Sequence, residues 1–214
     1  MKNKIIFGLI WLGFILYAFI FAPPDQPETL DLIKNLSMGN WTGINPLIIA
    51  LFNIMGIWPL IYSCVLFIDG HGQKTPAWLF ATLSFGVGAF AILPYLALRQ
   101  PNPQFLGKKS WFIKILDSRI TGLLLTLGTI ILVIYGLTQG NWEDFIQQWQ
   151  TSRFIHVMSL DFLLLSILFT VLLTDDRARR GMEKSVILEW ISLIPLFGAL
   201  FYLTTRVPLN HQTE

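Results

Sequence analysis

Charge is scarce in this chain. Only 13% of its 214 residues are Asp, Glu, Lys or Arg, against about 25% in an ordinary soluble domain. Cysteine is nearly absent: Cys64 stands alone, which excludes an intramolecular disulfide and any Cys-based metal site, and it reads as a small buried hydrophobe. A net charge of +2 is too small to suggest a nucleic-acid partner. Phosphate loops, dinucleotide fingerprints and G-x-S-x-G elbows are missing. The three histidines, His71, His156 and His211, show neither H-x-x-x-H nor H-E-x-x-H spacing, so no metal site, cofactor or catalytic constellation is expected. Pigment or lipid binding stays open. What remains is apolar: 54% of residues are hydrophobic and the mean hydropathy is +0.60. Such a chain is built for lipid.

Six apolar runs follow one another: Ile5 to Ala22, Leu47 to Ile68, Ala77 to Leu98, Ile120 to Thr138, Phe154 to Thr174 and Val186 to Thr204. Each is long enough for a hydrocarbon core of about 30 Å. The expectation is an all-α integral membrane helical bundle, a single transmembrane domain over 1–214 with about six spans. The first run exceeds a signal-peptide core and ends in Ala22-Pro23-Pro24, so it reads as an uncleaved helix. Pro59, Pro94 and Pro195 should bend their spans. Ser84 and Gly88 form a small-xxx-small pair suited to close packing.

Between the runs lie amphipathic stretches. Trp111, Phe112, Ile115 and Leu116 share a helical face after Ser110, and Trp142, Phe145, Ile146 and Trp149 share one after Asn141. Both read as interfacial helices, with Trp111, Phe112, Trp142, Phe145 and Trp149 as docking candidates for a partner. Leu30, Ile33 and Leu36 could form a third short surface helix ended by Gly39. The tripeptide G-N-W at Gly39 and Gly140 falls at unlike places relative to the spans, and reads as coincidence. D-D-R-A-R-R reads as a charged turn. With six spans, loops one, three and five carry 10 Lys and Arg and the opposite face 5, which puts both termini on the lumenal or periplasmic side. All three histidines then fall on one side.

The chemistry-bearing stretch is R-F-I-H-V-M-S-L-D, where Arg153, His156 and Asp161 fall within one broad sector of a helix. A carboxylate inside an apolar run costs about 2.5–3.5 kcal/mol on insertion scales, and usually faces a partner or a cavity. Two readings stand: a polar mouth giving a proton access to Asp161, or interfacial Arg153 and His156 with Asp161 neutral or bonded to a neighbouring helix. Asn53 and Glu189 form a second polar pair at comparable depth.

Four stretches, F-N-I-M-G-I-W-P-L-I-Y (Phe52 to Tyr62), L-D-S-R (Leu116 to Arg119), R-F-I-H-V-M-S-L-D-F (Arg153 to Phe162) and D-D-R-A-R-R-G (Asp175 to Gly181), resemble a family of small polytopic membrane proteins of cyanobacteria and chloroplasts that has no assigned biochemical role. The resemblance implies a thylakoid or cyanobacterial plasma membrane setting and carries over no catalytic residues. The leading functional expectation is a non-enzymatic accessory, assembly or scaffold factor of a larger, photosynthetic membrane complex, in contact with membrane lipids. The alternative is a small proton-coupled transporter using the polar entrance of the fifth helix. A membrane enzyme acting on lipid, quinone or pigment comes last.

Overall fold

The structure, a computed structural model, describes residues 2–105, 108–182 and 190–209. Helix is the only regular structure among the described residues. In chain order these are α1 (Lys2–Leu16, continuing through a wide π turn at Tyr17–Phe21), α2 (Thr29–Met38), α3 (Pro46–Asp69), α4 (Ala77–Val87), α5 (Ala89–Leu98), α6 (Trp111–Asp117), α7 (Arg119–Gln139), α8 (Trp142–Thr151), α9 (Arg153–Arg179) and α10 (Phe197–Thr205). The local signals act as their chemistry dictates. Asn45 and Ser110 cap α3 and α6 by accepting from Leu47 N and Ile113 N, Asn141 caps α8 through Asp144 N, and Gly39 ends α2 at φ +78°.

Among the described residues four helices, Asn3–Phe21, Pro46–Asp69, Arg119–Gln139 and Arg153–Arg179, are long and apolar enough to cross a membrane. That is fewer than the six expected, and the two missing spans fail for a visible reason. The third run breaks at Gly88, whose φ of 48° and ψ of −125° turn the chain back on itself. Gln100 N then bonds Gln73 Oε1 at 2.9 Å and Asn102 Nδ2 bonds Asp69 O at 2.8 Å, so both ends of Ala77–Leu98 lie at one end of the molecule. α4 and α5 form a hairpin whose arms rise only about 15 Å each. Ser84 and Gly88 belong to this bend, not to a straight packing face. The sixth run behaves alike. The chain leaves α9 at this same end and returns to it at Arg206, after a turn with Leu196 at φ 63° and the nine-residue α10. The start of that run, 186–189, lies outside the described residues.

The same geometry regroups the loops. The basic end collects twelve of the described Lys and Arg positions, leaving Lys34 and Arg153 at the other end. His71 sits at the basic end and His156 at the opposite one, so they do not share a side. D-D-R-A-R is the last part of α9, with Asp176 and Arg179 buried, because their charges are matched inside the protein instead of in water.

The two halves of the chain repeat each other. α3 and α9 begin at Pro46 and Arg153, α5 and α10 end at Leu98 and Thr205, and each pair is 107 residues apart. The same spacing separates Asp69 from Asp176, Tyr95 from Tyr202, Arg99 from Arg206 and Pro101 from Pro208. Each half is a spanning-length helix, a short surface helix, a second spanning-length helix and a hairpin arm returning to the basic end. Tyr62 and Phe169, matched by the same spacing, meet edge-to-face at 5.6 Å in the core beside Trp58. The halves are not packed equally. A Cβ on Gly136 of α7 would fall 2.8 Å from Ala50 Cβ, so α7 lies hard against α3, whereas Gly8 and Gly13 of α1 face open space.

Candidate functional site

Asp161 meets the tip of the hairpin. Its side chain is buried, and Oδ1 accepts a hydrogen bond from Ala89 N, the first amide of α5, at 2.8 Å. Helix N-termini leave their first amides without intrahelical partners and carry partial positive charge, so a carboxylate there serves as cap and counter-charge together. Gly88 makes the approach possible, because a Cβ at that position would collide with Asp161 Oδ2. The tip is held from the far side by α1: Trp11 Nε1 donates to Phe90 O at 2.9 Å, and Phe14 stacks on Phe90 at 4.4 Å.

Arg153 and His156 lie on the same side of α9 but do not converge on Asp161. Arg153 Nε donates to Pro23 O at 3.1 Å, fastening the start of α9 to the end of α1. His156 is buried between two rings, with Trp149 at 4.4 Å and Tyr17 at 5.9 Å. Its Nδ1 lies 2.9 Å from Trp149 O and its Nε2 2.8 Å from Tyr17 Oη. A carbonyl can only accept, so Nδ1 carries the proton and Tyr17 donates to Nε2 in the neutral ring. Tyr17 is the first residue of the wide turn at Tyr17–Phe21. The three residues are therefore three separate fastenings along one helix face.

Asn53 donates to Ile49 O of its own helix at 2.8 Å, and Glu189 lies outside the described residues. Among the interfacial aromatics, Trp111 and Trp142 are exposed and Phe112 is partly so. Phe145 and Trp149 instead pack against the small core of Leu36, Ile48, Ile49, Ile155 and Met158. Those two are half-buried, each ring shared between that core and the surface.

The basic end holds a buried network of charges that the sequence pattern places in loops and turns. Asp69 takes Arg99 Nε at 2.8 Å, Arg179 Nη2 at 3.0 Å and Tyr95 Oη at 2.6 Å; Arg99 also reaches Asp175. Asp176 takes Arg180 Nε at 2.8 Å and Tyr202 Oη at 2.6 Å, with Arg206 Nη1 at 3.7 Å. Asp117 joins Lys109 at 2.8 Å and Arg180 at 2.6 Å. Burial pushes the Asp117 carboxyl up, but Arg180, Lys109 and Arg206 outweigh it and hold the group below the usual carboxylate range. In each half, then, an Asp ending the second long helix receives a Tyr and an Arg from the returning hairpin arm. The sequence does carry the signal: Tyr-Leu-x-x-Arg-x-Pro occurs at 95–101 and again at 202–208. No family model matches the chain, and no curated protein or solved structure matches it either.

Proposed function

We propose that the protein is an integral membrane protein acting as a small proton-coupled carrier, with Asp161 as its proton-binding group. The observation that carries this reading is the Asp161 Oδ1 bond to Ala89 N at the tip of a broken helix. Non-helical backbone within the hydrocarbon region is tolerated only where protein or a water-filled cavity surrounds it, and half-helix termini facing a polar group near mid-membrane are a device of carriers. Asp161 lies about 12 Å along α9 from its first residue, at a rise of 1.5 Å per residue. The ionised carboxylate holds the tip through its charge against the half-helix terminus. A proton taken on Oδ2 from one side removes that charge and loosens the tip, and release of the proton to water on the other side restores it. The internal repeat supports a moving element of this kind. By the positive-inside tendency, the basic end faces the cytoplasm and carries the first residues of α1.

The test is proton flux into vesicles with the purified protein, followed by a pH-sensitive dye. Asp161→Asn keeps an oxygen for Ala89 N but cannot exchange a proton, so flux should vanish while the chain still folds and accumulates, with melting lowered only by the lost charge at the tip. Equal flux from the variant refutes the assignment.

A second reading is favoured by the exposed Trp111 and Trp142, which lie at opposite ends of the molecule: an accessory factor of a larger membrane complex, photosynthetic if the four quoted stretches mark a thylakoid or cyanobacterial setting. Mild-detergent purification from membranes tests it. Stoichiometric capture of a pigment-bearing complex would favour this reading over the carrier.

A further inference from the structure

A cavity of about 440 Å³ opens at the basic end between the first two turns of α1 and the exit of the hairpin. Its walls include Asn3, Lys4, Phe7, Leu96, Arg99 and Gln100, and among the described residues no carboxylate lines it. We propose that this cavity binds an anionic phosphate group, presented by a lipid headgroup. Three features argue for it. First, Arg99 is pre-set. Asp69 and Asp175 hold its Nε and Nη2 and fix the guanidinium plane, so its presence in the wall needs no further ordering. Second, Lys4 stands opposite on α1, exposed and with no ion pair among the described residues, where a second positive group can close on the same anion. Third, the cavity is amphipathic in the right order. Its cations sit where α1 begins, while the buried Phe7 and Leu96 lead towards the apolar outer face of α1 that carries Ile5, Ile6 and Leu9. A headgroup phosphate at Lys4 and Arg99 would leave its acyl chains along that face. The volume equals roughly fifteen waters at about 30 Å³ each, enough for a phosphate with a small polar headgroup. Basic pockets between helices on the cytoplasmic side commonly take anionic headgroups.

The consequence reaches the hairpin. α1 holds the hairpin tip through Trp11, and a lipid bridging Lys4 to Arg99 would clamp the two elements at their other end as well. The proposal rests on the membrane reading above but not on proton carriage. Asp161→Asn, which should end flux, should leave lipid binding unchanged.

The test is native mass spectrometry of the detergent-purified full chain, titrated with phosphatidylglycerol, phosphatidylcholine or inorganic phosphate. The wild type should retain phosphatidylglycerol over phosphatidylcholine by about fivefold per cationic contact. Lys4→Glu should bring that ratio close to one. Gln100→Glu, which places a carboxylate in the wall away from the apolar helix, should do the same. Lys74→Glu, an exposed change elsewhere at the basic end, should leave the ratio intact. Retained phosphatidylglycerol that millimolar phosphate does not displace identifies the lipid as the source. Displacement by phosphate keeps the anion site but overturns the lipid as its occupant. Equal retention of both lipids, or full retention in Lys4→Glu and Gln100→Glu, overturns the proposal.

Discussion

Gly88→Ala tests the hairpin most directly, because two independent penalties meet at one atom. The residue sits at φ 48° and ψ −125°, a conformation that costs a residue with a Cβ about 1–3 kcal/mol. The added methyl would also occupy the place of Asp161 Oδ2 and push the carboxylate off Ala89 N. A hydrogen bond to a charged group contributes about 1.5–3 kcal/mol. Together the expected loss is about 2.5–6 kcal/mol, a large share of a typical folding stability of about 5–15 kcal/mol. Gly86→Ala is the control, since a Cβ there meets nothing within 4 Å. Mixed-micelle unfolding read by tryptophan fluorescence would give both values. The pair also couples. In an Asp161→Ala background the collision is gone, so Gly88→Ala should lose only its backbone share of about 1–3 kcal/mol. If Gly88→Ala matches Gly86→Ala within about 0.5 kcal/mol, the hairpin tip is not built as argued.

The topology makes a plain prediction. In a Cys64→Ser background, Gln73→Cys and Gln104→Cys should label from the same side of the membrane and Gln147→Cys from the other; opposite labelling of the first two would restore a straight third span. At the basic end, Tyr95→Phe and Tyr202→Phe should each cost about 1.5–3 kcal/mol in thermal or chemical unfolding, and alike, since each loses a hydrogen bond to a buried carboxylate. Asp69→Asn should cost more, about 3–5 kcal/mol, because Arg99 and Arg179 stay buried without the carboxylate they share. Gly136→Leu should wedge α7 from α3 at about 1–3 kcal/mol or more, while Gly8→Leu, in open space, should fall within about 0.5 kcal/mol of wild type. Acid should weaken the basic end through Asp117, whose folded-state pKa is depressed. Its contribution is fully present above the unfolded value of about 3.9 and is lost as pH falls through the lower folded value, so melting curves from pH 7 to pH 3 should show an acid limb that Asp117→Asn flattens.

Composition and periodicity decided much of this protein by themselves. Four apolar runs became long helices within a few residues of their expected limits. Ser110, Asn141 and Gly39 set helix boundaries because capping depends on neighbours in the chain. Asp161 stood out by its cost in an apolar run, and it does meet a neighbouring backbone amide. What sequence reading could not supply was direction. A run of 22 apolar residues satisfies the length for a span whether it crosses or folds back at its middle, and hydropathy is blind to the sign of φ at Gly88. The choice was made by contacts across the chain, when Asp161, 72 residues further on, took the amide freed by the bend. The charges at the loop ends misled for the same reason. Counted singly, Asp69, Arg99, Asp176 and Arg206 look like solvated turns, and only the tertiary structure brings each carboxylate to its Arg and Tyr inside the protein. The sequence alone determined how much of the chain is apolar helix; the fold decided which of those helices run straight for the length of a span, because that depends on partners far away in the chain.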